Sequence, residues 1–385
     1  MSESVRKSYK YKLKPTPEQE RALELVLWRC RTLYNTALEE RIALWRQRGI
    51  SVHRYQQEAE LKDLRAQLPE YAAIHSHVLQ DVLARLDKTY QAFFRRLASG
   101  EKPGFPRFQG RNRYHSFTYK EYGNGVQLDN GYLILSKIGR LAVRWSRPVD
   151  GTPKTVTVSQ EADGWYVMFS CADVPAQPLL PTGHETGIDV GLKVFLITAE
   201  GDAVENPRHY RRGEKNLAKA QRRVSRRKKG SHRRRTAVGH LQRAHQTVQR
   251  QRQDFHHKTA LYLLREHDTI YLEDLRVANM VRNPHLAKSI GDAGWAAFRT
   301  ILEAKAACAG RRVVAVPPAY TTQDCSGCGT RIPKSLSVRT HVCTSTCGLV
   351  LDRDENAARN IQWAGQALRG LAGIPAGMNR ESVGL

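Results

Sequence analysis

The chain has 385 residues and a formal net charge of +25, from 62 Lys and Arg against 37 Asp and Glu. So one-sided a balance favours a polyanionic partner, and a hydrophobic content of 41% leaves room for two to four domains with real cores. No stretch of about 18 consecutive apolar residues occurs, which excludes a membrane-spanning helix, and the polar start Met1-Ser2-Glu3-Ser4 does not read as a secretory signal.

Residues 6–14 alternate charged and bulky side chains (Tyr9, Tyr11, Leu13), the pattern of one strand with a basic face. Thr16 then reads as a helix N-cap, Pro17 as the first helical residue and Gln19 as the partner that closes a capping box. Leu23, Val26, Leu27, Cys30, Leu33, Tyr34, Ala37 and Leu38 keep helical spacing until Gly49. Further helices are predicted over 53–67 and 76–98. The second of these turns Val78, Val82, Leu86, Tyr90, Phe93 and Phe94 inward. A basic and aromatic link, Lys102-Pro103-Gly104-Phe105-Pro106-Arg107-Phe108, follows. Short strands are expected at 116–120, 126–128, 132–135, 141–145, 155–159 and 165–171, with Gly- and Asn-rich turns between several of them. They suggest a small barrel completed by the 6–14 strand, which makes the helical domain an insertion in it.

After a linker at 175–181 come strands at 185–190, 193–198 and 202–205, then a basic helical stretch from about 212 to 265 that breaks near Gly230-Ser231. A strand at 267–275, a helix at 295–309, a strand at 312–317 and a helix at 356–368 complete the order β-β-β-α-β-α-β-α. That is the order of an RNase H-like domain. It brings three acids together: Asp189 on the first strand, Glu273 at the end of the fourth and Asp354 at the opening of the last helix. Asp274 and Asp352 are neighbours, with Asp352 in reserve for Asp354. Converging hard carboxylates without His or Cys favour Mg²⁺ or Mn²⁺. Two such ions about 4 Å apart activate a water and stabilise the leaving oxygen of a phosphodiester.

Cys325, Cys328, Cys343 and Cys347 form two close pairs, each followed by a glycine (Gly329, Gly348). This is the layout of a zinc ribbon, in which two knuckles supply four thiolates to one structural Zn²⁺. The Cys-x3-Cys spacing of the second pair is looser than the commoner Cys-x2-Cys. Seven cysteines, four of them assigned to zinc, point to a reducing cytoplasm, with association to the nucleoid expected from the charge.

Arg222, Arg223, Arg226, Arg227, Lys228, Lys229, Arg233 and Arg234 crowd one short stretch, where phosphates would relieve their mutual repulsion. Individually each could be a solvated side chain. At the start of the 76–98 helix, His77 and Gln80 are candidates for reading base edges of a duplex, with the helix N-terminus favouring phosphate. The competing reading of Gln80 is an ordinary exposed helix residue.

Gly187-Ile188-Asp189-Val190-Gly191, Tyr271-Leu272-Glu273-Asp274-Leu275, the cysteine ribbon and the run from Asp352 to Asn360 (Asp-Arg-Asp-Glu-Asn-Ala-Ala-Arg-Asn) together resemble the TnpB family. So do Pro103-Gly104-Phe105-Pro106-Arg107-Phe108 and the run from Ala220 to Arg227. These are the transposon-encoded relatives of type V CRISPR effector nucleases, and the likeness fails only in the Gly-rich tail. It implies a multidomain α/β protein: a wedge barrel at 1–15 and 111–183 and a helical recognition domain at 16–110. A RuvC-like nuclease at 184–318 and 351–369, a zinc ribbon at 319–350 and a flexible tail at 370–385 complete the map. The implied activity is RNA-guided cleavage of double-stranded DNA beside a short adjacent motif, with one protein per transposon-end guide RNA. Two alternatives are a DDE transposase, whose last acid is a Glu where this chain has Asp, and a nuclease-inactive RNA-guided repressor, which would lack one of the acids. A plain zinc-ribbon DNA-binding regulator would need none of them.

Overall fold

The computed structural model describes residues 4–111, 113–335, 337–345 and 347–371. They fall into two units that divide between Pro175 and Ala176. In the first, β1 (Ser4–Lys14) leads to α1 (Pro17–Arg48), α2 (Arg54–Gln67), the short α3 (Pro69–Ala72) and α4 (Ser76–Ala98). Thr16 and Gln19 close the expected capping box at the start of α1, and Gly49 ends it in the left-handed conformation that glycine adopts at least cost.

Six strands follow: β2 (Ser116–Tyr119), β3 (Val126–Asp129), β4 (Tyr132–Leu135), β5 (Gly139–Arg144), β6 (Thr152–Glu161) and β7 (Gly164–Pro175). With β1 they build an antiparallel sheet in the order β2-β6-β7-β1-β5-β4-β3, so the N-terminal strand lies at its centre. Register shifts at Val5/Lys7 and Pro153/Thr155 mark bulges, which bend and curl a sheet. Tyr9, Tyr11 and Leu13 point into a core shared with Leu23, Leu38, Val82 and Leu86 of the helices, while Lys10 and Lys14 face out.

One expectation fails here. Phe94 is 58% exposed, and Tyr90 and Phe93 are only half-buried. Beyond Leu86 the helix outruns its cover, and these rings pack on one another and on Phe105, centroids 5.2–6.2 Å apart. With Trp45 and Tyr55 they line an open cavity of about 930 Å³.

The second unit opens with β8 (Glu185–Val190), β9 (Val194–Thr198) and β10 (Ala203–Glu205). Two long basic helices follow, α5 (His209–Ser225) and α6 (His232–Glu266). Then come β11 (Thr269–Glu273), the short α7 (Val277–Met280) and α8 (Ala287–Ala293), α9 (Trp295–Ala309) and β12 (Arg312–Val316). A small hairpin, β13 (Thr340–Val342) and β14 (Val350–Asp352), precedes α10 (Arg353–Leu371). The sheet order is β10-β9-β8-β11-β12, with β8, β11 and β12 parallel and the first three strands an antiparallel meander. One face buries Ile188, Ile270 and Leu272 against Leu263, Phe298 and Leu302 of α6 and α9. The other buries Tyr271 and Val316 against Ile361 of α10. Among the described residues no helix is long and apolar enough to cross a membrane. Nearly all of the tail expected at 370–385 lies outside the described residues.

Candidate metal centres

The sheet register explains how the acids meet. Ile188 of β8 pairs with Leu272 of β11, so one step further along these parallel strands Asp189 lies beside Glu273. Strand side chains alternate between faces. Ile188 and Leu272 point toward α6 and α9, which turns Asp189 and Glu273 to the α10 side. That helix lies unusually close. A Cβ on Gly187 would fall inside the Ala358 carbonyl oxygen and 2.6 Å from the Gln362 amide, and one on Gly365 would enter the Tyr271 ring. The missing side chains let the backbones approach, and Gln362 fixes the contact by donating to the Glu185 carbonyl at 3.0 Å. The first turn of α10 then carries Asp354 toward Asp189.

Burial pushes the Asp189 carboxyl well above the ordinary aspartate range; Glu273 and Asp354 push it further, Arg353 pulls it back, and Asp352 adds to the rise. Its side chain is crowded yet keeps an accessible edge. Burial also raises Glu273, opposed by the Thr321 hydroxyl, which donates to its Oε1 at 2.5 Å. Asp354 is held by Arg353, whose Nε and Nη2 lie at 3.1 and 2.9 Å, and by Arg339 at 3.4 Å. Neighbouring hard carboxylates that crowd Asp189 suit Mg²⁺ or Mn²⁺ in kind, since a divalent cation relieves both the repulsion and the burial cost, but among the described residues the four cysteines are the one set of possible ligands gathered within 4.8 Å.

The neighbours separate by role. The Asp352 carboxylate accepts from the amides of Asp354 and Glu355 at 2.8 and 3.4 Å, which makes it the cap of α10. The helix therefore begins three residues before the predicted 356. Asp274 is exposed and pairs with Arg299 at 2.6 Å, turned away from the acids' role.

All four cysteine Sγ atoms lie within 4.8 Å of one another, the longer spacing of the second pair included. The Cys325–Cys347 and Cys328–Cys343 separations are 3.5 and 3.6 Å. A tetrahedron with Zn–S bonds of about 2.3 Å has edges of roughly 3.8 Å, so the set fits zinc. Gly327 leaves room for the sulfurs, because a Cβ there would stand 3.0 Å from the Cys347 Sγ. Backbone amides of Cys347 and Ser345 lower the Cys343 thiol, while burial raises Cys325, and burial and the neighbouring sulfurs raise Cys347, a crowding that a cation among them would relieve.

Of the basic candidates, Arg222, Arg223, Arg226, Lys228, Lys229 and Arg233 are exposed and Arg227 is half-buried. Arg234 differs from the expectation. Its Nη1 donates to the carbonyls of Val224 and Arg227 at 2.8 and 3.0 Å, closing the end of α5. The start of α4, where a helix N-terminus favours phosphate, carries a side-chain cap of its own. His75 caps it by accepting the His77 amide at 3.3 Å, and the Asn124-Gly125 turn packs over it, Asn124 standing 3.4 Å from the His77 ring. Gln80 is half-buried.

Sequence reasoning missed Thr321, Arg339 and Arg353 as groups on the acids, and the structural use of Asn356 and Asn360. Both asparagines are buried on α10, one turn apart. Their spacing was the available signal, since two buried amides on one helix face need backbone partners.

Three family models match parts of the chain, one of them across the boundary between the two units. Residues 1–49 match a "Helix-turn-helix domain" family, 156–284 an OrfB family described as "Probable transposase", and 295–361 a "Cas12f1-like, TNB domain" family. A protein of Streptomyces pristinaespiralis named "Putative RNA-guided DNA endonuclease" is 37% identical, over 95% of this chain and 91% of its own length. The chain belongs to the TnpB family. A second relative, "Putative RNA-guided DNA endonuclease InsQ" of Escherichia coli K12, is 32% identical over 76% of this chain and 75% of its own. Proteins of Acanthamoeba polyphaga mimivirus named "TnpB-like" are 28% identical over 56% of the chain. The solved "Cas12f1-sgRNA-target DNA complex" shares the fold, with a TM-score of 0.57 at 13% identity, covering 93% of this chain and 99% of that one.

Proposed function

We propose that this TnpB-family chain is an RNA-guided DNA endonuclease in which Asp189, Glu273 and Asp354 hold two Mg²⁺ or Mn²⁺ ions and Cys325, Cys328, Cys343 and Cys347 hold one structural Zn²⁺. The observation that carries the reading is the convergence of Asp189, Glu273 and Asp354 on one face of an RNase H-ordered sheet, in a relative of proteins named as RNA-guided DNA endonucleases. The ions would supply an activated water and charge stabilisation at the leaving oxygen. The protein's own share is placement: Gly187 and Gly365 seat α10, Asp352 caps it, and the parallel register sets Asp189 beside Glu273. The exposed Arg222, Arg223, Arg226 and Arg233, with Lys228 and Lys229, would grip phosphates of a guide–target duplex by charge without reading sequence. In this reading the curled sheet is the wedge, its helices the recognition domain and the second unit a RuvC-like nuclease. Retention of all three acids separates this reading from a nuclease-inactive repressor.

The test is to purify the protein from cells carrying its native flanking DNA, sequence any RNA that comes with it, and offer DNA matching that RNA's variable end. Cleavage that needs Mg²⁺ or Mn²⁺ and follows a changed guide supports the reading. A protein that carries no RNA and cuts nothing sinks it.

A further inference from the structure

The first cysteine knuckle is hydrogen-bonded into the carboxylate cluster. Asn356 accepts the Ser326 amide through Oδ1 at 2.9 Å and donates Nδ2 to the Asp324 carbonyl at 2.8 Å. One turn on, Asn360 donates Nδ2 to the carbonyls of Thr321 and Asp324 at 2.9 and 2.6 Å. Asn356 and Asn360 are 0% and 4% exposed, so these bonds are made where water cannot replace them. The segment they hold runs through Cys325 to Ser326 and begins at Thr321, itself buried, whose hydroxyl donates to Glu273. The helix that holds it is the one whose first turn carries Asp354.

We propose that Thr321, fixed on α10 by Asn360, is a positioning residue that orients the Glu273 carboxylate for its cation, so that the cysteine knuckle forms part of the nuclease centre. The proposal rests on the nuclease reading above and adds a named dependence to it. A glutamate at a strand end has three side-chain torsions to restrict, and a carboxylate that turns freely loses ligand geometry. The Thr321 hydroxyl takes one lone pair of Oε1 and leaves Oε2 for an ion. Because the backbone carbonyl of the same threonine is held by Asn360, the hydroxyl cannot drift with the ribbon. Asn356 and Asn360 thus tie the knuckle to the same rigid body that carries Asp354.

Thr321→Val keeps the shape and removes the donor; Thr321→Ser keeps the donor. The measurement is Mn²⁺ binding by the guide-loaded protein, followed by electron paramagnetic resonance, beside the Mg²⁺ concentration giving half-maximal cleavage. Zinc content and guide affinity are recorded for each variant. Thr321→Val is expected to weaken Mn²⁺ binding and raise the Mg²⁺ requirement by roughly tenfold, the loss of one hydrogen bond to a charged group, with zinc and guide binding unchanged. Thr321→Ser is expected to stay within about twofold of the parent, since it keeps that bond. Equal Mn²⁺ affinity in Thr321→Val and the parent overturns the proposal while leaving the nuclease reading intact. A serine variant as weak as the valine assigns Thr321 a packing role and overturns it too. A parent protein that neither binds Mn²⁺ nor cleaves overturns the nuclease reading, and this proposal with it.

Discussion

The cysteine ribbon and the curled sheet of the first unit show two ways to hold strands together. The sheet buries Tyr9, Phe117, Trp165 and Phe169 almost completely, and each such ring contributes some kcal/mol of transfer free energy. The ribbon has a three-residue hairpin and leaves Val338, Val342 and Val350 42–63% exposed. Its buried residues include two of the four thiols, the neutral His341, and the polar Thr321 and Ser326 tied to α10 and Glu273. Apolar burial suffices for the sheet; the ribbon, in the reading proposed above, would depend on sulfur ligation and on its asparagine ties.

That contrast can be broken first at the metal. Cys325→Ser is expected to lose about one equivalent of zinc per chain and to open residues 319–350 to protease, as a site without a core must when its metal goes. Elemental analysis and limited proteolysis check it, and the first unit should stay protected. Next comes the glycine contact that seats α10. Gly187→Ala drives a methyl into the Ala358 carbonyl and should cost about 1–3 kcal/mol or more of stability, read by thermal denaturation, together with most of the cleavage activity. A Gly239→Ala control, where a Cβ meets nothing within 4 Å, should leave both unchanged.

The smallest effect concerns the far end of β8. Burial raises the Glu185 carboxyl, but hydrogen bonds from Arg369, Tyr271 and Gln366 outweigh it and leave the group below its ordinary value. A depressed folded pKa contributes stability that is present above the unfolded value of about 4.3 and is lost as pH falls through the folded one. Glu185→Gln should therefore cost about 1 kcal/mol at neutral pH, and the gap between variant and parent should close below about pH 4. Melting temperatures of the two proteins across pH 3.5–7 read the effect.

What the sequence makes legible is what burial writes into it. Alternation in β1 and the 3.6 spacing of α1 follow from one buried face, and both elements fall where expected. The same reasoning overreaches at Phe93 and Phe94, because periodicity names a face without saying how far its cover extends. The acids are legible through element order, whereas their closeness depends on the β8–β11 register and on Gly187, which are properties of pairing. Asp352 and Asp354 look alike two residues apart. Only the helix start tells cap from candidate ligand. Arg234 sits within a uniformly basic run, and nothing in composition marks it as the one that closes α5.

In the proposed mechanism Asp189 works on metal at the phosphodiester and leaves nucleic-acid binding to other residues. Guide-loaded Asp189→Ala and parent protein, compared for target binding and for Mg²⁺-dependent cleavage of the same DNA, test it most directly. Cleavage is expected to fall below detection with target affinity within about threefold of the parent, since in the proposed role the carboxylate would serve the ions and not the phosphates. An Asp189→Ala protein that still cuts its target would contradict it.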